Sequence, residues 1–194
     1  MRLATSIALL CCIALQTQAD VLDFIAERPG ISGLFQQRIQ SAEGEEIERS
    51  SGDFKLMKPH YVFWNITEPD RQLLLAAGGS LTQIDWDLEV VVERTLSEQE
   101  WGPMSWLMAS REELDRVFVI DESVADTVTL RSRESEALVR EVAVVISEPA
   151  LWEITVIDSV DQRIVISLMI TEGVLLSAAD FAMPDTAFGG ASAR

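Results

Sequence analysis

The sequence predicts a mainly β domain with a smaller helical part, on three observations. Short apolar runs recur between Pro, Gly and Asp breaks at tight intervals, over 45–96 and again over 116–178. Many of these runs are apolar on both faces. Helical spacing is confined to the start of the domain and to a central piece ending in a helix-start signature.

Residues 1–19 are expected to be a secretory signal peptide. Met1-Arg2 is a short positive start, Leu3 to Leu15 is apolar, and Thr17 and Ala19 put small residues before a cut after Ala19. The run is shorter than the ~20 residues that span a bilayer. Leu10 rather than a small residue precedes Cys11, which argues against lipidation. Cys11 and Cys12 leave with the leader, so the remaining 175 residues contain no cysteine. That excludes disulfides, zinc thiolates and a cysteine nucleophile. A chain this long buries ~70% of its unfolded surface without such staples, as one domain over 20–188. Losing Arg2 from 15 basic residues leaves 14 against 32 acidic, a balance of −18. Nucleic acid and anionic headgroups would be repelled, and scattered acids read as a solvated surface.

Val21 to Glu27 has helical spacing. Pro29-Gly30 interrupts it, and Ile31 to Ile39 is read as a resumed helix with Leu34, Phe35 and Ile39 on one side. Strands are expected at about 45–57, 61–67, 71–77, 80–85 and 88–96, separated by Pro59, Pro69-Asp70, Gly78-Gly79 and Asp85-Trp86-Asp87. Such spacing predicts an antiparallel meander. Trp101 to Met108 is apolar and helix-compatible, and Ser110-Arg111-Glu112-Glu113 has the capping-box spacing. Strands return near 116–120, 127–132, 139–147, 152–159, 163–171 and 174–178, and residues 189–194 form a flexible tail.

Tyr61 to Trp64, Leu73 to Leu75, Val90 to Val92, Val144 to Ile146 and Ile164 to Ile166 lack polar alternation. Two architectures account for them. One is a sandwich, or a sheet whose second face is covered by helices; the other is a curved sheet with an apolar concave face closed by helical pieces. Within FKLMKPHYVFWNITEP, Phe54, Leu56, Val62, Trp64 and Ile66 share one parity and so one sheet face. Lys58 and His60 share that parity beside Pro59, an unusual polar interruption.

The catalytic inventory is thin. His60 is the single histidine, so a multi-histidine metal site is excluded and a Ser-His-Asp triad would have to use it. There is no nucleophile elbow, phosphate loop or nucleotide fingerprint. Glu98 with Glu100, and Asp158 with Asp161, are neighbours on an acidic surface. No enzyme, metal or cofactor is expected.

The run Gly52 to Pro59, then Phe63-Trp64-Asn65, Glu68-Pro69, Gly78 and Leu81, resembles the LolA family of periplasmic lipoprotein carriers. Leu34 to Gln37 is similar to the end of that family's first helix, and Asp85 to Glu89 to its acidic turn, with Trp86 where proline is usual. Gly102 to Leu107 resembles its central lid, and Phe181 to Pro184 its closing strand and turn. The resemblance covers nearly the whole chain after the leader, through the order and spacing of motifs that are individually weak.

It implies an incomplete antiparallel barrel of about eleven strands with a helical lid over a hydrophobic cavity. It implies a monomeric, soluble periplasmic chaperone of a Gram-negative bacterium. The chaperone takes acylated lipoproteins from an inner-membrane ABC transporter of the Lol type to an outer-membrane acceptor lipoprotein of the Lol type. On this reading Phe54, Leu56, Val62, Trp64 and Ile66 line the cavity. Phe24, Leu34, Phe35, Met104, Leu107 and Met108 form the lid, and Lys58 with His60 forms its latch. The family's usual arginine before that proline is Lys58 here, one compact cation in place of a planar fork. Leu81 to Ile84 also lacks the aromatic residues usual in that hairpin. These departures leave open a LolA-like paralogue carrying or sensing another periplasmic lipid or glycolipid.

Overall fold

The computed structural model describes residues 20–95 and 105–184. The leader, Glu98 and Glu100, residues 101–104 with Met104, and the tail 189–194 lie outside the described residues.

One eleven-stranded antiparallel sheet makes up most of the fold. A short helix α1 (Val21–Ala26) precedes β1 (Gly30–Gln40), β2 (Glu46–Met57), β3 (Tyr61–Glu68), β4 (Gln72–Ala77), β5 (Ser80–Asp85) and β6 (Val90–Thr95). A 3-10 turn (Ser105–Leu107) and α2 (Arg111–Val117) then lead into β7 (Phe118–Asp121), β8 (Thr127–Ser132), β9 (Val139–Glu148), β10 (Leu151–Asp158) and β11 (Arg163–Ile170). A second 3-10 turn spans Ala178–Phe181. The spatial order is β6-β5-β4-β3-β2-β1-β11-β10-β9-β8-β7, so two meanders are joined where β1 pairs with β11. The edge strands β6 and β7 do not pair with each other, and the sheet stays unclosed.

The local signals behave as read. Gly78 and Gly79 both adopt positive φ, 60° and 83°, and supply the two-residue turn that opposes Ala77 to Ser80. Asp85 closes the next turn by accepting from the backbone N–H groups of Asp87 and Leu88. The Asp158–Asp161 turn is built similarly. Asp158 accepts from Val160 and Gln162, while Asp161 pairs with Arg140, so these two acids are turn-formers. α2 starts at Ser110 with the expected capping box: Glu113 N–H donates to Ser110 Oγ, and Glu113 Oε2 accepts from the Ser110 backbone.

Two expectations fail. Residues 31–39 are not a helix but β1, central in the sheet and paired on both sides, with β2 and with β11. Ile31, Gly33, Phe35, Gln37 and Ile39 alternate with Ser32, Leu34, Gln36 and Arg38, and the strand's period prevailed because both edges found partners. Gly33 would also cost a helix ~1 kcal/mol. The stretch 174–178 is not a strand. After β11 the chain turns at Gly173 and runs irregularly into the 3-10 turn Ala178–Phe181, which also replaces the expected closing strand at its start. The Ser177 N–H and Oγ donate to Asp180 Oδ2 at 2.8 and 2.9 Å, which favours that turn.

The doubly apolar strands are explained by two cores on opposite faces. The larger takes the concave face of both meanders, including Phe35, Phe54, Leu56, Trp64, Val142 and Ile154, with α1, the 3-10 turn Ser105–Leu107 and α2 packed on it. The smaller lies on the other face of β4 and β5, where Leu73, Leu75 and Ile84 are covered by Phe181 and Leu176 of the C-terminal segment. Curved sheet, helical closure and outer cover all occur in one chain.

Candidate functional site: a lidded concave face

The wall of the site comes from three adjacent strands. Phe54 on β2 faces Trp64 on β3, and Leu56 faces Val62. All four are buried in the main core, and Ile66 is half-buried against it. The shared parity of these residues does place them on one concave face. Phe35 enters from β1 and stacks on Trp64, ring centroids 3.9 Å apart. Gly52 makes room for that pair. A Cβ there would sit 3.0 Å from the Phe35 ring and 1.8 Å from the Asn65 carbonyl oxygen. Trp152, on β10, completes the wall opposite α1 and was missed in the sequence. Its alternation with Ile154 and Val156 against Glu153 and Thr155 was the available signal.

The lid consists of α1, the 3-10 turn and α2. Asp20 caps α1 by accepting from Leu22 N–H at 2.9 Å, and Val21, Leu22 and Ile25 face the core. Phe24 is half-buried, tilted against Trp152 at 6.0 Å and covered by the Arg28 guanidinium at 3.5 Å from its centroid. Leu107 and Met108 are buried on the underside of the lid, whereas Met104 is outside the described residues. Leu34 and Phe35, read as lid residues on a helix, both sit on β1. Phe35 is 2% exposed on the concave side, and Leu34 is 56% exposed on the outer side. A strand sends neighbours to opposite faces, so the two cannot share one.

Lys58 lies at the turn after β2, and its ammonium reaches the lid. Nζ donates to the Ile25 and Ala26 carbonyls at 3.2 and 2.9 Å, the last carbonyls of α1. A cation there satisfies groups that a helix end leaves without partners and meets the negative end of the helix dipole. Burial holds the Lys58 pKa below its ordinary value. The Lys58 backbone N–H separately donates to Pro29 O at 2.9 Å. His60 is exposed on the same turn and bears electrostatically on Glu113 of α2.

A second fastening joins the lid pieces. Arg111, at the start of α2, donates to Asp20 at 2.8 Å and to Glu122 at 2.5 Å. Burial first, and then the neighbouring Asp20 carboxyl, push the Glu122 pKa up. For Asp20 burial acts upward too, but hydrogen bonds with Glu122, Leu22 N–H and Arg111 prevail and hold it down.

Among the described residues little space is left beneath the lid. The void left between Ile25, Arg28, Leu56, Lys58, Met108 and Trp152 is about 20 Å³, room for roughly one water. Ligand pockets usually measure ~300–1,000 Å³. A void of about 20 Å³ does not hold a ligand of that size. Among the described residues no cluster of His, Cys, Asp and Glu could hold a metal ion. Nor is any helix among them long and apolar enough to cross a membrane, which says nothing of β-barrels.

The chain is similar to several known proteins. The family model for "Outer membrane lipoprotein carrier protein LolA" matches residues 28–183. An outer-membrane lipoprotein carrier protein of Alkalilimnicola ehrlichii is 28% identical over 69% of this chain and 68% of its own. Those of Xanthomonas oryzae and Xylella fastidiosa are 28% and 27% identical, over 71% and 77% of this chain and 69% and 74% of theirs. The crystal structure of the LolA superfamily protein NE2245 from Nitrosomonas europaea is 12% identical, with a TM-score of 0.45 over 84% of this chain and 96% of that one. By the family model, which spans four-fifths of its length, the chain belongs to the LolA family of outer-membrane lipoprotein carrier proteins.

Proposed function

We propose that this chain is a periplasmic carrier that shelters the acyl chains of lipoproteins between its concave face and its lid. It acts without chemistry, after its leader is cut at Ala19. Cargo comes from an inner-membrane ABC transporter of the Lol type and passes to an outer-membrane acceptor lipoprotein of the Lol type. The observation that carries the reading is the apolar cluster on the concave face beneath a lid whose helix is tied to the sheet by one ammonium.

The energetics suit a carrier. Acyl chains in water cost ~25 cal/mol per Å² of exposed apolar surface. Lifting α1 and the 3-10 turn exposes the apolar side chains beneath them, and acyl chains would cover that surface again. Loading therefore exchanges one apolar contact for another and stays close to balance, which lets cargo be passed on. Phe54, Leu56, Val62, Trp64 and Ile66 line the opened cavity, with Phe35 as a sixth wall residue. Phe24, Leu107 and Met108 move with the lid, and unbranched Met108 adapts to chains of different shape.

The test is to purify the chain from the periplasm and identify what travels with it by mass spectrometry. Triacylated lipoproteins are the expected result. Free fatty acid or glycolipid alone would transfer the chain to the carriage of another periplasmic lipid, and an empty protein that binds no apolar dye would overturn the reading.

A further inference from the structure

Trp106 sits in the 3-10 turn Ser105–Leu107, 6% exposed and packed into the main core. Its indole Nε1–H is buried and has no hydrogen-bond partner among the described residues. Indole nitrogen can only donate, so this group lacks the bond that water would otherwise give it. Trp152 shows the ordinary solution, since its Nε1–H donates to Pro149 O at 3.0 Å. A phenylalanine would fill position 106 without stranding a donor. The neighbours Leu107 and Met108 line the residual void, and the two cations there are already engaged: Lys58 on the Ile25 and Ala26 carbonyls, Arg28 on the Phe24 carbonyl.

An acyl chain arrives with the opposite need. It is attached through an ester or amide carbonyl, which loses its water on entering an apolar site and requires a donor there. We propose that Trp106 Nε1–H is the donor that receives the carbonyl at the head of a bound acyl chain. The proposal deepens the carrier reading and rests on it. It makes the site selective for acyl over alkyl lipids and sets how deep a chain can enter, because the carbonyl must stop at the indole.

The experiment compares dipalmitoylglycerol with the dialkyl glycerol ether of equal length, in which methylenes replace the carbonyls. Both are titrated against an apolar dye bound to the purified chain. The expected result is about three- to tenfold tighter binding of the ester, the span of one net hydrogen bond, and equal affinities in Trp106→Phe. Reading the ester-to-ether ratio within each protein cancels any loss of stability in the variant. Should that variant not fold, the wild-type indole N–H resonance of Trp106 replaces it, moving with the ester and not with the ether. Equal binding of the two lipids by the wild type, or an indole resonance indifferent to the ester, overturns the donor and leaves the carrier reading intact. Failure of both lipids and of the dye to bind removes the carrier reading and this inference with it.

Discussion

Replacing Lys58 tests the closure directly. Its ammonium makes two contacts with α1, at 2.9 and 3.2 Å. Hydrogen bonds to a charged group contribute ~1.5–3 kcal/mol each when well enclosed. Lys58 is partly exposed, and burial already lowers its pKa, so the ammonium gives up hydration to make these contacts. The pair together is then worth about 1–2 kcal/mol to the closed state. Lys58→Leu should shift the closed-to-open ratio by about 5- to 30-fold and tighten apparent cargo affinity by that factor wherever closure dominates the empty protein. Lys58→Arg should act in the other direction, because its planar fork can serve both carbonyls at once. The fold should survive both, since the Lys58 backbone N–H to Pro29 does not depend on the side chain. The assay is the rate at which bound lipoprotein passes to an acceptor protein, with dye affinity measured alongside. Cargo should leave Lys58→Leu slowest and Lys58→Arg fastest. Identical rates and affinities across the series would falsify the latch.

Phe35→Ala should lower stability by about 3–5 kcal/mol in urea unfolding, while Leu34→Ser should stay within about 0.5; the reverse order would mean that β1 faces the other way. The lid clasp should respond to mild acid in two stages. Glu122, with its pKa raised, adds stability as pH falls through its folded pKa towards the ordinary carboxylate range, and Asp20, with its pKa lowered, removes stability once pH falls below that range. Thermal unfolding from pH 7 to 3 should therefore pass through a maximum near pH 4–5 that flattens in Glu122→Gln; an unchanged profile in the variant would assign the maximum to other groups. Because the chain after Ala19 has no cysteine, thiols placed at Ala26 and Lys58 can be joined selectively by a short bifunctional reagent. The cross-linked protein should keep its melting temperature and lose cargo loading, and normal loading would show that α1 is only scaffold.

Strand positions from β2 to β6 were legible because the breaks between them rest on local chemistry that needs no distant partner. Gly78-Gly79 supplies two positive-φ positions, Asp85 closes its own turn, and Ser110 with Glu113 forms its own cap. The parity of Phe54, Leu56, Val62 and Trp64 likewise fixed which side chains share a face, and it left open what covers that face. What escaped sequence reading depends on contacts far along the chain. Residues 31–39 satisfy both a helical and an alternating pattern, and pairing with β11, more than 120 residues away, decided between them. The stretch 174–178 looked like a strand, yet its neighbour Phe181 is held by the outer face of β4 and β5. Lys58 was visibly odd in the sequence, but its partner carbonyls lie 32 and 33 residues back, and Arg111 meets Asp20 across 91. Periodicity and turn chemistry act within a few residues, so they determined most of the strands and which of their side chains share a face. The identity of the lid, its two fastenings and the orphaned indole arose only when packing set the free energy of distant segments against each other.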